Sequence, residues 1–336
     1  MNSPEIITGY KPERIWPAIF ILCICLPAML LTACGAGGGN GSAGSVPEVS
    51  AAGAAPAGSH TLDVPVPPTM LSESGAREFL AEHYWDNFDF ADTTWIADTA
   101  ALEKAFAGWA RLLCQLPESD AAALSGSLMR RADGIPAMLL GLYETAERFF
   151  DKPDSPYRNE SLFIPVLEAV LASGSVDTLY RIRPRAQLAL AMKNRPGMRA
   201  ADFVYTRKDG SAGRLYGLDA EYTLLMFYAP DCPYCRDVER YIPDSDIFGP
   251  LVSSGRLKLL AVYPGKDTVL WREHLPEIPA QWTVGRDAQQ AIIGGNLYDI
   301  RTTPMLYLLD RGKRVILKDR PVEQIESWFA QHADGR

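Results

Sequence analysis

Histidine and cysteine are the scarce residues of this chain, four and six among 336. The histidines are scattered, and the Cys-x-x-Cys at Cys232 and Cys235 has no second pair to match it. The four ligands of a structural zinc site are therefore missing, and no metal is expected. Positive charge is short as well. With 33 Lys+Arg against 41 Asp+Glu the net charge is −8, which leaves no basic surplus to neutralise phosphates, so no nucleic-acid partner is expected. Apolar side chains are plentiful: 47% of residues are hydrophobic and 22% charged. That balance excludes disorder and collagen-like architecture over most of the length and suffices for two cores.

Charge is absent from Ile15 to Leu31, an apolar run interrupted only by Pro17 and Pro27. Lys11 and Arg14 precede it, and Thr32, Ala33 and Cys34 follow. A basic flank, a greasy segment and small residues in that order read as a secretory signal. Thr32-Ala33-Cys34 resembles a bacterial lipobox, the motif of lipoprotein precursors. The resemblance implies a signal peptide over residues 1–33 and a lipid on Cys34 that anchors the protein in the bacterial cell envelope, facing the periplasm or the exterior. Gly35 stands where some inner-membrane lipoproteins carry Asp, which leans towards the outer membrane. The alternative is an uncleaved anchor, for which this run sits at the short limit for spanning a bilayer.

Residues 34–70 are rich in Gly, Ala, Ser and Pro and show no periodic apolar face, so they read as a flexible tether stiffened at its far end by Pro65, Pro67 and Pro68. Residues 71–195 carry helical periodicity. Leu102, Phe106, Trp109, Leu113 and Leu116 recur every three or four positions, as do Leu139, Leu142, Tyr143, Ala146, Phe149 and Phe150. Five or six short helices in a bundle are expected there, with Pro165 and Pro184 falling inside the apolar periodicity. The segment Tyr84 to Ile96 resembles the start of the helical domain that precedes a thioredoxin-like domain in some bacterial lipoproteins. Cys114, at the edge of an apolar stripe, reads as a buried inert thiol. The basic run Arg181, Arg183, Arg185, Lys193, Arg195 and Arg199 reads as a solvated face or a contact with carboxylates elsewhere on the chain.

Residues 196–336 alternate strand and helix. Phe203–Tyr205 and Arg214–Leu218 flank a Lys208-Asp209-Gly210 turn, as in a hairpin. Tyr222–Tyr228 is a continuous apolar run, as expected of a strand buried on both faces. A helix over Pro233–Ile242, a strand over Leu257–Tyr263, a helix over Thr268–His274, strands at Met305–Leu309 and Val315–Leu317 and a helix over Val322–His332 follow.

The chemistry sits after the apolar strand. Pro233 suits the first position of a helix, which makes Cys232 the cap and places Cys235 in the first turn. The Cys232 sulfur then faces free backbone N–H groups and the positive helix end, which favour a thiolate, while Cys235 is placed to attack a mixed disulfide formed on Cys232. Covalent haem attachment needs His after the second Cys, where Arg236 stands. A structural disulfide remains the alternative in an oxidising compartment. Thr303-Pro304 directly precedes a strand. A cis proline there would lie beside the two sulfurs and leave the Thr303 backbone free to pair with a substrate.

From about Gly197 to the end, the chain resembles a thioredoxin-like domain of the membrane-anchored branch, similar to the TlpA and ResA thiol-disulfide oxidoreductases. Gly197–Phe203 (GMRAADF), Leu224–Tyr228, Ala229–Cys235 (APDCPYC) and Thr302–Leu309 (TTPMLYLL) carry the resemblance, with Ala201 in place of a frequent Pro. It implies an α+β protein overall, an N-terminal all-α helical bundle followed by an α/β thioredoxin-like domain. Lys266–Tyr298 is similar to the insert of that branch. Thioredoxins carry an Asp six residues before the first Cys, and Met226 stands there. The branch often uses a Glu from its insert instead, for which Glu273 and Glu277 are the candidates. The Pro233-Tyr234 pair matches the glutaredoxin motif, but Gly294 and Gly295 precede Pro304 rather than follow it, so glutathione specificity is not implied.

The resemblance implies a membrane-anchored, extracytoplasmic thiol-disulfide oxidoreductase that reduces protein disulfides. Cys232 is the nucleophile and Cys235 the resolving thiol, with Pro233, Tyr234, Thr303 and Pro304 lining the substrate groove. Tyr234 is expected to be exposed. No organic cofactor is required beyond the Cys232/Cys235 pair. The partners implied are disulfide-containing envelope proteins and an upstream electron donor. The competing class is a non-enzymatic envelope lipoprotein that binds a partner or glycan and carries a structural or redox-sensing domain.

Overall fold

The computed structural model describes residues 60–332. The expected signal peptide, Cys34 and most of the expected tether lie outside the described residues. The last stretch of that tether is docked on the helices that follow. The His60 backbone N–H donates to Asp98 Oδ2 at 3.0 Å, Asn87 donates to the Asp63 carbonyl at 3.1 Å, and Leu62 and Val64 pack on the helical core.

Seven helices follow: α1 (Glu73–His83), α2 (Thr94–Ala97), α3 (Thr99–Leu113), α4 (Glu118–Arg131), α5 (Pro136–Phe150), α6 (Glu160–Ala172) and α7 (Ile182–Ala191). Polar side chains start several of them. Ser72 accepts the Gly75 N–H, Asp98 that of Ala101 and Asn159 that of Ser161. The stripe of α3 buries Leu102, Phe106, Trp109 and Leu113 against Trp85, whose ring meets Trp109 edge-on at 5.9 Å. Helix α6 is apolar on nearly every side because α4, α5 and α7 surround it. Pro165 lies inside α6, where it removes one backbone donor. Gly126 of α4 leaves room for its ring, and the buried Ser125 hydroxyl donates to the Leu162 carbonyl close to the gap. Pro184 falls in the first turn of α7, where the missing N–H costs little.

The remaining elements are β1 (Val204–Arg207), β2 (Ala212–Arg214), β3 (Tyr222–Phe227), α8 (Pro233–Asp244), α9 (Phe248–Ser253), β4 (Leu257–Tyr263), α10 (Thr268–His274), β5 (Thr283–Arg286), α11 (Ala291–Gly294), β6 (Met305–Leu309), β7 (Val315–Lys318) and α12 (Val322–His332). The strands form one sheet in the order β2-β1-β5-β4-β3-β6-β7. β3 pairs in parallel with β4 and β4 with β5, while β6 runs antiparallel to β3 and β7 antiparallel to β6. Alternation divides the central strands between two cores. Leu224, Met226, Leu259, Ala261, Leu306 and Leu308 face α8, α9, α10 and α12, whereas Leu225, Phe227, Leu260, Val262 and Tyr307 face the side carrying Phe203, Tyr205, Ile292 and Tyr298. The protein thus combines an N-terminal helical part with a mixed α/β part.

Several features differ from the sequence expectation. The second strand of the hairpin ends at Arg214, and Leu215–Gly217 is a single 3-10 turn. α9, β5 and α11, of six, four and four residues, had no expected counterpart. β5 contains Gly285, which the ring of Tyr205 covers, so its packing comes from a neighbouring strand rather than from its own side chains. Cys114 is the C-cap of α3 and exposed, which corrects the expectation of a buried thiol: the stripe has already turned inward at Leu113.

Candidate active site

The site is assembled where β3 leads into α8 and the chain enters β6. Pro233 occupies the first helical position and Cys232 is the N-cap. The cap geometry is made by sulfur: the Cys235 N–H donates to Cys232 Sγ at 3.2 Å. Both cysteines are free thiols. Across from them the Thr303-Pro304 peptide is cis, and the Cys232 thiol donates to the Thr303 carbonyl at 3.2 Å. Cys232, Cys235, Thr303 and Pro304 are therefore gathered at one point although about seventy residues separate the two pairs.

The two sulfurs are not equivalent. Cys232 retains 9% exposure, whereas Cys235 has none. Burial, followed by the neighbouring Cys232 thiol, pushes the Cys235 thiol far above the ordinary cysteine range. Tyr234 projects into solvent at 73% exposure, whereas Tyr228 and Trp271 are buried in the apolar cluster that contains both cysteines. Met226 lies in β3 opposite Ala261 and Leu306, so this strand offers no acid at that position.

The carboxylate nearest the buried side of α8 is its own Glu239. It lies on the inward stripe with Cys235, Val238 and Ile242, and its Oε1 is 3.2 Å from Nε2 of buried His274 in α10. Burial raises the Glu239 carboxyl above its ordinary value. Glu277, one of the expected candidates, reaches His274 Nδ1 at 3.2 Å and Arg236 at 3.5 Å, while Glu273 is exposed. Sequence reasoning missed Glu239 and His274. The one trace was a Glu inside an otherwise apolar stripe of α8.

A cleft of about 750 Å³ opens beside Tyr234 and Pro304. Leu306 and Lys318 line it on the sheet side, and Phe150, Arg158 and Glu160 on the side of the helical part. Ion pairs join the walls: Arg301 meets Asp151 at 2.5 Å, Arg158 meets Asp319 at 2.6 Å, and Lys318 meets Glu160 at 2.8 Å. Members of the basic run before the sheet meet groups elsewhere in the chain: Arg183 pairs with Glu147, Lys193 donates to the Asn296 carbonyl, and Arg199 lies over the Tyr216 ring at 3.8 Å. Among the described residues no group of three or more His, Cys, Asp or Glu is placed to hold a metal ion, and no helix is long and apolar enough to cross a membrane.

Comparison with known proteins adds family evidence. Residues 42–194 match a model described as a domain of unknown function (DUF5106). No curated protein matches the chain. Among solved structures, a thioredoxin-like protein from Bacteroides caccae is 35% identical with a TM-score of 0.77, over 81% of this chain and 99% of that one. The C-terminal domain of an uncharacterized protein from Bacteroides fragilis is 37% identical with a TM-score of 0.40, over 41% of this chain and 98% of that one. A conserved protein of unknown function from Bacteroides fragilis is 41% identical with a TM-score of 0.39, over 40% and 98%. Given the identity and nearly complete coverage of the Bacteroides caccae structure, the chain belongs to the family of thioredoxin-like proteins.

Proposed function

We propose that this protein is an extracytoplasmic thiol-disulfide oxidoreductase, held at the envelope membrane by a lipid on Cys34, that reduces disulfides in envelope proteins. One observation carries the reading: two free cysteines share a helix start beside a cis-proline loop, one retaining 9% exposure and the other none. The division of labour follows from exposure. The Cys232 thiolate attacks one sulfur of a substrate disulfide, releases the other as a thiolate and forms a mixed disulfide. Cys235 then attacks the Cys232 sulfur and releases the second substrate thiolate. Two electrons pass to the substrate, and the pair is left as a disulfide that an upstream dithiol donor must reduce. Pro233 follows the Cys232 sulfur in the helix, the Thr303 carbonyl accepts from it, and Tyr234 and Pro304 line the adjoining cleft, which gives an extended polypeptide room to lie. The chemistry requires no organic cofactor.

An insulin-reduction assay with dithiothreitol as donor tests this. The parent protein is expected to accelerate precipitation of reduced insulin, and Cys232→Ser is expected to fall to the uncatalysed rate. Equal activity of the two proteins rejects the mechanism and leaves the non-enzymatic envelope lipoprotein as the reading.

A further inference from the structure

Resolution by Cys235 needs a base, because this thiol must lose its proton in a place fully closed to solvent. The face of β3 that looks towards the cysteines carries Leu224, Met226 and, just beyond the strand, Tyr228, none of which accepts a proton at neutral pH. Glu239 lies one helical turn after Cys235 on the same inward face of α8 and is 5% exposed. From it a line of titratable groups leads outward. Glu239 meets His274 Nε2, His274 Nδ1 meets Glu277, and Glu277 is exposed beside Arg236. Tyr228 closes the inner end. Its ring is 5.8 Å from that of His274, and its hydroxyl is within electrostatic reach of both Glu239 and Cys235. An apolar pair would join α10 to α8 at least as stably as a buried Glu and His, so simple anchoring does not account for them.

We infer that Glu239 takes the proton from Cys235 during resolution and that His274 and Glu277 pass it to solvent. The inference rests on the redox reading above. In the step, the Cys235 S–H bond breaks as its proton moves to the Glu239 carboxylate. The Cys235 sulfur bonds to the Cys232 sulfur, and the substrate sulfur departs with the electron pair of the mixed disulfide. His274 takes the proton from Glu239 on Nε2 and gives one up from Nδ1 to Glu277, which exchanges with water. Glu239, His274, Glu277, Arg236, Tyr228, Tyr263, Cys232 and Cys235 are the titratable or charged groups meeting there from α8 and its cap, α10, the turn after α10, the residue after β3, and β4.

The test uses the full chain with Cys23, Cys25, Cys34 and Cys114 changed to Ser, so that only the pair reacts. Rapid mixing with 5,5′-dithiobis(2-nitrobenzoate) then gives two releases of nitrothiolate, the first as Cys232 is modified and the second as Cys235 resolves it. Glu239→Gln, which keeps a hydrogen bond to His274, is expected to leave the first phase unchanged and to slow the second about a hundred-fold. The residual rate should rise in proportion to hydroxide, and Glu239→Asp should recover most of the loss. A second phase within two-fold of the parent and with the parental pH profile overturns the relay. Should Glu239→Gln lose its native near-ultraviolet dichroism, Glu277→Gln at the exposed end decides the same question: a slowed second phase supports the relay, and an unchanged one overturns it. A parent that releases only one nitrothiolate overturns the redox reading itself.

Discussion

In the proposed reaction, two cysteines at one helix start divide the chemistry between them. Cys232 caps α8 and retains 9% exposure, whereas Cys235, three residues on, is fully buried and its thiol is raised above the ordinary range. Glu239, a turn further, is buried with its carboxyl raised above the ordinary 4.5. That shift also has a consequence for stability. Because the folded chain binds this proton more tightly than the unfolded chain, the stabilising contribution is fully present below 4.5 and is lost as pH rises through the folded value. Glu239→Gln removes the dependence. Urea unfolding at pH 4 and pH 7 is expected to show the variant gaining stability relative to the parent at the higher pH; a constant difference contradicts the burial account. Glu239 was hard to read from sequence because a lone Glu on a helix is usually solvated. His274 lies 35 residues away, and nothing in the spacing joins them.

At the scale of elements, legibility followed the length of the apolar pattern. β4, α10, β6 and α12 lie at the bounds their periodicity predicts, because each carries enough apolar residues to define a period. β5 does not. It has four residues, one of them Gly, and its place between β1 and β4 depends on Tyr205 reaching across from β1. Gly285→Ala would drive a methyl group into that buried ring and is expected to cost about 1–3 kcal/mol, read from the denaturation midpoint. A shift under about 0.5 kcal/mol means that the ring moves freely, against the packing described. The cysteine pair and the Thr303-Pro304 loop were legible together, since each adjoins a clear element: Cys232 starts α8, and Pro304 precedes β6.

Across the whole molecule, the helical part and the sheet meet through charges that were illegible in the sequence. Lys318 of β7 binds Glu160 and the carbonyls of Ala191 and Lys193, while Arg301 serves Asp151 and Asp299 together. These pairs join residues up to 158 positions apart, and a local reading sees only ordinary surface charge. Arg301→Ala leaves two largely shielded carboxylates facing each other and is expected to cost roughly 3 kcal/mol, with Arg301→Lys recovering only part because one ammonium cannot fork to both. A loss under about 0.5 kcal/mol in a urea titration contradicts that role. The joined walls form the cleft beside Pro304, which neither part would line alone. The central claim, that Cys232 alone captures the substrate, is tested most directly by mixing reduced Cys235→Ser protein with a disulfide-containing protein and mapping the trapped adduct by mass spectrometry. Attachment at Cys232 is the expected result; attachment only at Cys114, or no adduct at all, contradicts the account.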